Sequence, residues 1–255
     1  MSKIPIVQSL ERAIALLEAF APNNAEQGIS ELSRKVNLPR PTVSRLVATL
    51  EGLGYLRQNK ETRKYLLGLK LIHLGSVVQS SFSLVDIAAP VLHKLRDNLK
   101  ETVYIDVIDG DDRVCIASLP GLHAVRTVVD PGQRSPLYAG ADSRMLLSSL
   151  DDEKIDDYLK RTLMKPCAPN TVIDSQKMKN LIKEIRETGY SFSISEFHSG
   201  SACISGPIKD SAGKTIAALS VSFAEMKAKP PLLDIYKSAV IGAALDISRL
   251  MGYKG

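Results

Sequence analysis

The 255 residues contain no tryptophan, and aromatic side chains make up only 5% of them. Cysteine is also scarce: Cys115, Cys167 and Cys203 lie far apart and form no CxxC pair. That spacing speaks against a zinc ribbon and against a disulfide framework. His73, His93, His123 and His198 are scattered, without the short intervals of metal ligands, so neither metal nor cofactor is expected. No apolar run approaches the roughly 20 residues of a membrane helix. The start, Met1-Ser-Lys-Ile-Pro, lacks the apolar stretch of a secretory signal. A cytoplasmic protein with no membrane partner is the expectation. Catalytic signatures are missing too: there is no Gly-x-Ser-x-Gly elbow, Walker loop or His-Glu-x-x-His. Cys203 with His198, or a serine with His123, gives a conceivable nucleophile and base. Neither pair has the local setting that activates a nucleophile, and a buried cysteine is ordinarily a small hydrophobe. A small Cys/Ser hydrolase is therefore the least favoured reading, and the chain is not expected to be an enzyme.

A hydrophobic content of 44% against 24% charged residues is enough for a normal core. The net charge of +5 is unevenly placed. Residues 1–75 hold 11 Lys/Arg against 6 Asp/Glu, whereas residues 76–255 hold 22 of each. A small basic module on a neutral body points to a polyanionic partner.

The spacing of apolar residues predicts a helix over Ser9–Phe20, with Leu10, Ala13, Ile14, Leu17 and Phe20 on its buried face and a stop at Pro22-Asn-Asn. A second short helix follows, with Ser30 as its N-cap and Ile29, Leu32 and Val36 inward. A third begins at Arg40 with Pro41 in its first turn, where the missing N–H costs nothing. Val43, Leu46, Val47, Leu50 and Leu53 form its apolar stripe. From Tyr55 to Gly68, two short apolar runs flank a basic tip, Gln58 to Lys64, in a hairpin pattern. Three short helices and a hairpin describe a winged helix-turn-helix, whose third helix enters the major groove. The stripe leaves Arg40, Pro41, Thr42, Ser44, Arg45 and Thr49 on the other faces of that helix. Arginine pairs bidentately with guanine and hydroxyls reach bases or phosphates. Lys60, Arg63 and Lys64 on the hairpin suit phosphate contacts. Double-stranded DNA is therefore the expected partner. The alternative is a module that docks a protein, which salt dependence would distinguish.

Residues 69–81 predict a linker helix. Leu71, Leu74 and Val78 share one face, with Ile72 and Val77 extending it, a pattern that needs more than one neighbour and admits a second subunit. Beyond it, a helix over Leu84–Leu99 precedes strands at Thr102–Ile108 and Arg113–Ser118, joined by an Asp-Gly turn. A further strand is expected at Val125–Val129. Helices are expected near Asp142–Leu150, Asp152–Leu159 and Gln176–Thr188. Strands then follow at Ser191–Ser195, Ala202–Ile208 and Thr215–Phe223, before a last helix over Leu232–Met251. Hairpin-linked strands with helices around them make this part α+β, on a mainly antiparallel sheet. Along Thr215–Phe223, alternation puts Ala217, Leu219, Val221 and Phe223 on one face, and Ser220 and Ser222 on the other.

The chain resembles the IclR-type family of bacterial transcriptional regulators. The resemblance runs from Val7-Gln-Ser-Leu-Glu-Arg-Ala13 through Leu38-Pro-Arg-Pro-Thr-Val-Ser-Arg-Leu46, Leu50-Glu-Gly-Leu-Gly-Tyr55 and Tyr65-Leu-Leu-Gly-Leu69. It continues at Val107-Ile-Asp-Gly110, Pro136-Leu-Tyr-Ala139, Ala168-Pro-Asn-Thr171, Glu196 to Cys203, Gly206-Pro-Ile208 and Ala217-Ala-Leu-Ser-Val-Ser222. It implies a winged helix-turn-helix domain over residues 5–67, a linker helix over 68–81 and a GAF-like effector domain over 82–253. It also implies dimers or tetramers on palindromic operators, and a repressor of a catabolic operon that answers to a small organic or sugar acid. By position, Ser30, Arg40, Pro41, Thr42, Ser44, Arg45, Lys60, Arg63 and Lys64 are expected at the DNA. The effector is expected at the backbone N–H groups of Ala141 and Asp142 and at the side chains of Ser193, Cys203, Ser220 and Ser222. Two positions depart from the family pattern: Ser193 stands where many members have an acid, and Asp142 where an apolar residue is usual. A carboxylate there would repel an acidic ligand unless Arg126, Arg134 or Arg144 offsets it. A polyhydroxylated sugar acid, able to hydrogen-bond Asp142, fits better than a bare keto acid.

Overall fold

The computed structural model describes residues 7–21, 25–81 and 83–254, with only the backbone at 76, 78–81 and 83. The backbone divides into two compact units, residues 1–81 and 82–255. The expected stop at Pro22, Asn23 and Asn24, residues 5 and 6 of the expected first domain, residue 82 of the expected second domain and the Val78 side chain lie outside the described parts.

The first unit contains α1 (Gln8–Glu18), α2 (Ile29–Lys35), α3 (Arg40–Gly52), the hairpin β1 (Leu56–Gln58) and β2 (Tyr65–Leu67), and α4 (Lys70–Ser81). Its core is Leu16, Phe20, Leu32, Val43, Val47, Leu50 and Leu56. Three expectations fail here. Leu10 and Ile14 are 61% and 54% exposed, and α1 buries Leu16 instead. The helix is apolar on two sides, so periodicity alone could not say which side faces α3. Leu53, expected in the stripe of α3, is 53% exposed because the helix has ended at Gly52. The N-cap of α2 is Gly28 rather than Ser30. Its N–H donates to Glu31 Oε2 at 2.7 Å, the reaching-back half of a capping box. Ser30 is therefore the second residue of the helix. In the hairpin Leu56 pairs with Leu67 and Gln58 with Tyr65, and an isolated bridge from Gln27 to Tyr65 extends it. Gly68 is required by crowding: a Cβ there would fall 2.1 Å from the Gly54 carbonyl oxygen.

The second unit holds α5 (Ser83–Leu99), β3 (Thr102–Asp109), β4 (Asp112–Leu119), β5 (Arg134–Pro136), α6 (Ala141–Ser148), α7 (Asp152–Arg161), α8 (Ser175–Thr188), β6 (Ser191–Ile194), β7 (Ser201–Lys209), β8 (Thr215–Ala224) and α9 (Leu232–Leu250). Six strands form one antiparallel sheet in the order β5-β4-β3-β8-β7-β6. Register sorts the two faces. Val103, Val221 and Ile204 align across β3, β8 and β7, as do Ile105 and Leu219. With Phe223 they pack on α5 and α9 around Leu92, Tyr236, Val240 and Ile247. On the opposite face, Thr102, Ser222, Cys203 and Ser193 align, and next to them Tyr104, Ser220, Ser205 and Ser191. That polar face lies under α6, every residue of which is buried. The strand expected at Val125–Val129 is not formed. Residues 120–133 are a loop in which Val125 is 92% exposed, and the sixth strand is Arg134–Pro136. A β-branched run carries strand propensity, but here the ladder position beside β4 is taken by the next segment.

Candidate functional site

In the first unit, the buried stripe of α3 fixes what its other side presents. Arg40, Pro41, Ser44 and Arg45 are exposed and Thr42 is half-buried. Thr49 turns its hydroxyl back onto the Arg45 carbonyl at 2.9 Å, so it is engaged with its own helix. Ser30 is half-buried, near the start of α2. At the wing, Asn59 organises the tip: its Oδ1 accepts from the Glu61 N–H at 2.9 Å. Its Nδ2 donates to Glu26 Oε1 at 2.6 Å, and Thr62 donates to Glu26 Oε2 at 3.1 Å. Lys60 and Arg63 stay exposed, whereas Lys64 pairs with Glu31 at 3.3 Å. The Gly28 N–H and Lys64 together hold the Glu31 carboxyl below its ordinary range. The three basic residues of the wing are thus unequal, because one has an internal partner.

In the second unit, a small cavity of about 30 Å³ lies between the polar sheet face, the start of α6 and the turn after β6. Its lining includes Tyr104, Arg113, Asp142, Ser193, Glu196, His198, Cys203 and Ser222. Three expected residues with side chains at the site, Ser193, Cys203 and Ser222, therefore meet at one place together with Asp142. Ser220 does not line it. It is fully buried one row along the sheet, donating to Ser205 at 2.9 Å and to Asp106 at 3.4 Å. Parity alone puts Ser220 and Ser222 on one face, but the cavity reaches only the second.

The helix start is not open in the way expected. The Ala141 N–H donates to Ser193 Oγ at 3.0 Å. The Ser143 N–H donates to Asp142 Oδ1 at 2.8 Å. Burial raises the Glu196 carboxyl, and Arg144 and the Gly140 backbone pull it back down. A negative side chain at a helix start is favourable through the helix dipole, and here the chain provides it itself. Gly140 permits this with φ +101°, and a Cβ on it would come within 2.7 Å of Asp142 Oδ1.

The cation that offsets Asp142 is Arg113, not Arg126, Arg134 or Arg144. Arg113 Nη2 lies 3.2 Å from Asp142 Oδ2, Nη1 donates to Asp106 at 2.9 Å, and Nε donates to Ser135 at 2.9 Å. Burial works against the charge of Arg113, and Asp142 and Asp106 outweigh it and raise its pKa. Burial likewise pushes Asp106 upward against the pull of Arg113. Tyr104 Oη donates to Asp142 at 3.1 Å and lies 3.2 Å from Cys203 Sγ. Burial, with Asp142 next, raises the Cys203 thiol well above its usual range, which keeps it unreactive. Arg134 bonds Asp109 and Asp112 at the surface, and Arg144 bonds Glu196 and the Phe192 carbonyl. Tyr104, Arg113, Glu196 and His198 are absent from the expected site. The available signal was Tyr104 and Asp106, two apart among Val103, Ile105, Val107 and Ile108, a pattern that calls for a buried partner.

The described residues contain no group of three His, Cys, Asp or Glu side chains suited to a metal ion, and no helix long and apolar enough to cross a membrane.

Against known proteins, residues 9–60 match the IclR helix-turn-helix domain and residues 76–249 match the bacterial transcriptional regulator IclR C-terminal domain. The HTH-type transcriptional regulator KdgR of Escherichia coli is 31% identical over 247 residues, covering 97% of this chain and 94% of KdgR. The HTH-type transcriptional repressor AllR of Klebsiella pneumoniae is 28% identical, covering 97% and 91%. Among solved structures, an IclR homologue from Microbacterium hydrocarbonoxydans complexed with 4-hydroxybenzoate superposes with a TM-score of 0.82 at 23% identity, covering 95% and 98%. The two matched segments run in order along most of the sequence, with α3 and the first strand of the wing in one and the polar cavity in the other. The chain therefore belongs to the IclR family: it is a two-domain α+β transcriptional regulator with a helix-turn-helix DNA-binding domain, not an enzyme.

Proposed function

We propose that this regulator represses a catabolic operon from the cytoplasm, and that a small organic or sugar acid bound in the C-terminal unit relieves the repression. The observation that carries the DNA reading is the exposure of Arg40, Pro41, Ser44 and Arg45 on one side of α3 while Val43, Val47 and Leu50 are buried on the other. Arg40, Thr42, Ser44 and Arg45 contact base edges and nearby phosphates, with Pro41 and Ser30 at the helix starts beside the backbone. Lys60, Arg63 and, more weakly, Lys64 grip flanking phosphates. The chain acts as a homo-oligomer. Val7 at the N-cap of α1, Leu10 and Ile14 on α1, and Leu69 and Ile72 by α4 are large exposed apolar side chains, as an unburied contact surface would provide.

The effector reading is supported by the small polar cavity around Asp142, Ser193, Cys203 and Ser222, while the Ala141 N–H and the Ser220 hydroxyl are engaged within the fold. A hydroxylated acid is known in the related fold, in the 4-hydroxybenzoate complex. Domain limits near 5–67, 68–81 and 82–253 fit this division of labour.

The test is a gel-shift and anisotropy titration on operator DNA selected from a random pool. Affinity should fall steeply with salt, with a slope of about −0.9 per phosphate neutralised and about six or more phosphates per dimer. Hydroxylated acids should weaken operator binding by about 5- to 150-fold. A flat salt response would instead favour a protein-docking module. Operator affinity unmoved by any organic acid, sugar acid or polyol would defeat the effector reading.

A further inference from the structure

The cavity beside Asp142 shares Thr127, His198 and Ser201 with a much larger space of about 620 Å³, a vestibule beside it. The two chambers differ in charge. Inside, the cation is already held: Arg113 is bonded through all three of its nitrogens, to Asp106, Asp142 and Ser135. Behind the wall, Arg144 is bonded to Glu196 and a backbone carbonyl. The inner space is lined by the carboxylates of Asp142 and Glu196 and the hydroxyls of Ser193 and Ser222, beside the His198 ring and the Tyr104 hydroxyl, which is already donated to Asp142. A carboxylate pushed in there would lose its water shell and meet two acids with no unpaired cation.

The vestibule has the opposite balance. Its only carboxylate among the described residues is Glu101, which is shared by Lys227 at 2.5 Å, Tyr236 at 2.9 Å and His123 at 3.7 Å. Arg126 also lines it; among the described residues its one hydrogen bond runs from Nη1 to the His123 carbonyl at 3.3 Å, and no acid is paired to it. Size points the same way. An inner space of about 30 Å³ takes one or two water-sized groups, so only the end of a ligand fits there.

We infer that the effector binds with a hydroxylated end inward, donating to Asp142, and with its carboxylate outward in the vestibule, paired with Arg126. This rests on the reading of an acidic effector above and adds its orientation and two specificity-determining residues. Asp142 selects for hydroxyl donors and Arg126 for the acid.

Calorimetry on the full chain tests it with D-gluconate, D-galacturonate and 4-hydroxybenzoate, against uncharged D-sorbitol and D-galactose and against benzoate, which lacks the hydroxyl. Arg126→Gln, on an exposed loop, should weaken the acids about tenfold or more and change the uncharged polyols less than about twofold. Asp142→Asn should weaken the hydroxylated acids by a clearly larger factor than benzoate. The orientation is overturned if the acids bind but Arg126→Gln binds them as the parent does, or if Asp142→Asn tightens them, since the carboxylate would then face inward. If no acid gives heat or shifts operator affinity, while the polyols do, the acidic-effector reading itself fails and the orientation falls with it.

Discussion

Asp142 Oδ2 lies 3.2 Å from the buried guanidinium of Arg113, which also holds Asp106 at 2.9 Å on its other side. One cation thus joins β3, β4 and the first turn of α6 beneath the cavity. The arrangement ties the stability of the C-terminal unit to the same residue that sets the charge of the site.

Replacing Arg113 by Met should therefore destabilise that unit strongly, by about 3–5 kcal/mol, because Asp106 and Asp142 would remain buried without a cation. Urea unfolding followed by far-UV circular dichroism measures it. Placing the same change in an Asp106→Asn background should cost clearly less, since one of the stranded charges is gone. Equal losses in both backgrounds would mean that the pair acts as packing rather than as charge.

Gly140→Ala should also be costly, by roughly 1–3 kcal/mol. Its φ of +101° is unfavourable for alanine and the new methyl would meet the Asp142 carboxylate. Because that clash displaces the inner acceptor, D-gluconate affinity should drop in the fraction that folds. A thermal melt paired with calorimetry separates the two effects.

On the DNA side, Arg45→Ala should cost about 1–3 kcal/mol on selected operator DNA and little on random duplex. Arg63→Ala should weaken both alike and reduce the salt slope by about 0.9. Lys64→Ala should do less than Arg63→Ala, because Lys64 already pairs with Glu31. Anisotropy titrations at several salt concentrations order the three variants.

His198 gives the site a pH response. Burial and then Arg113 lower its pKa from the usual 6.5, while Asp142 pulls it back up. The folded chain thus takes the proton less readily than the unfolded one, so the stability contributed by the neutral ring is complete above 6.5 and is lost as pH falls through the folded pKa. Protonation also adds positive charge where the cavity meets the vestibule, so D-gluconate binding should tighten over the same fall. Glu196 lines the cavity too, and burial raises its pKa. His198→Asn isolates the contribution of the ring: its binding curve should be flatter across that range.

Much of the fold was legible locally. Pro41 and the stripe of Val43, Val47 and Leu50 fix α3, and the alternation in β8 sorts Leu219 and Val221 from Ser220 and Ser222, because both patterns depend on backbone period alone. The misses share a different cause. Leu10 and Ile14, Val125–Val129 and the partner of Asp142 each depended on which distant segment occupies a face, a ladder edge or the neighbourhood of a buried charge. Arg113 could not be chosen over Arg126, Arg134 or Arg144 by counting along the chain, since it reaches Asp142 on α6 from strand β4.

The sequence by itself determined the family, the order of the elements, the basic first unit and the serine-rich face of the sheet. Only the tertiary structure decided that the head of α6 is filled by the chain's own carboxylate and that its cation is Arg113. The reason is physical. Secondary structure and patterning follow from neighbours within a few residues, whereas a buried charge is satisfied by whatever the completed fold brings within about 3 Å of it.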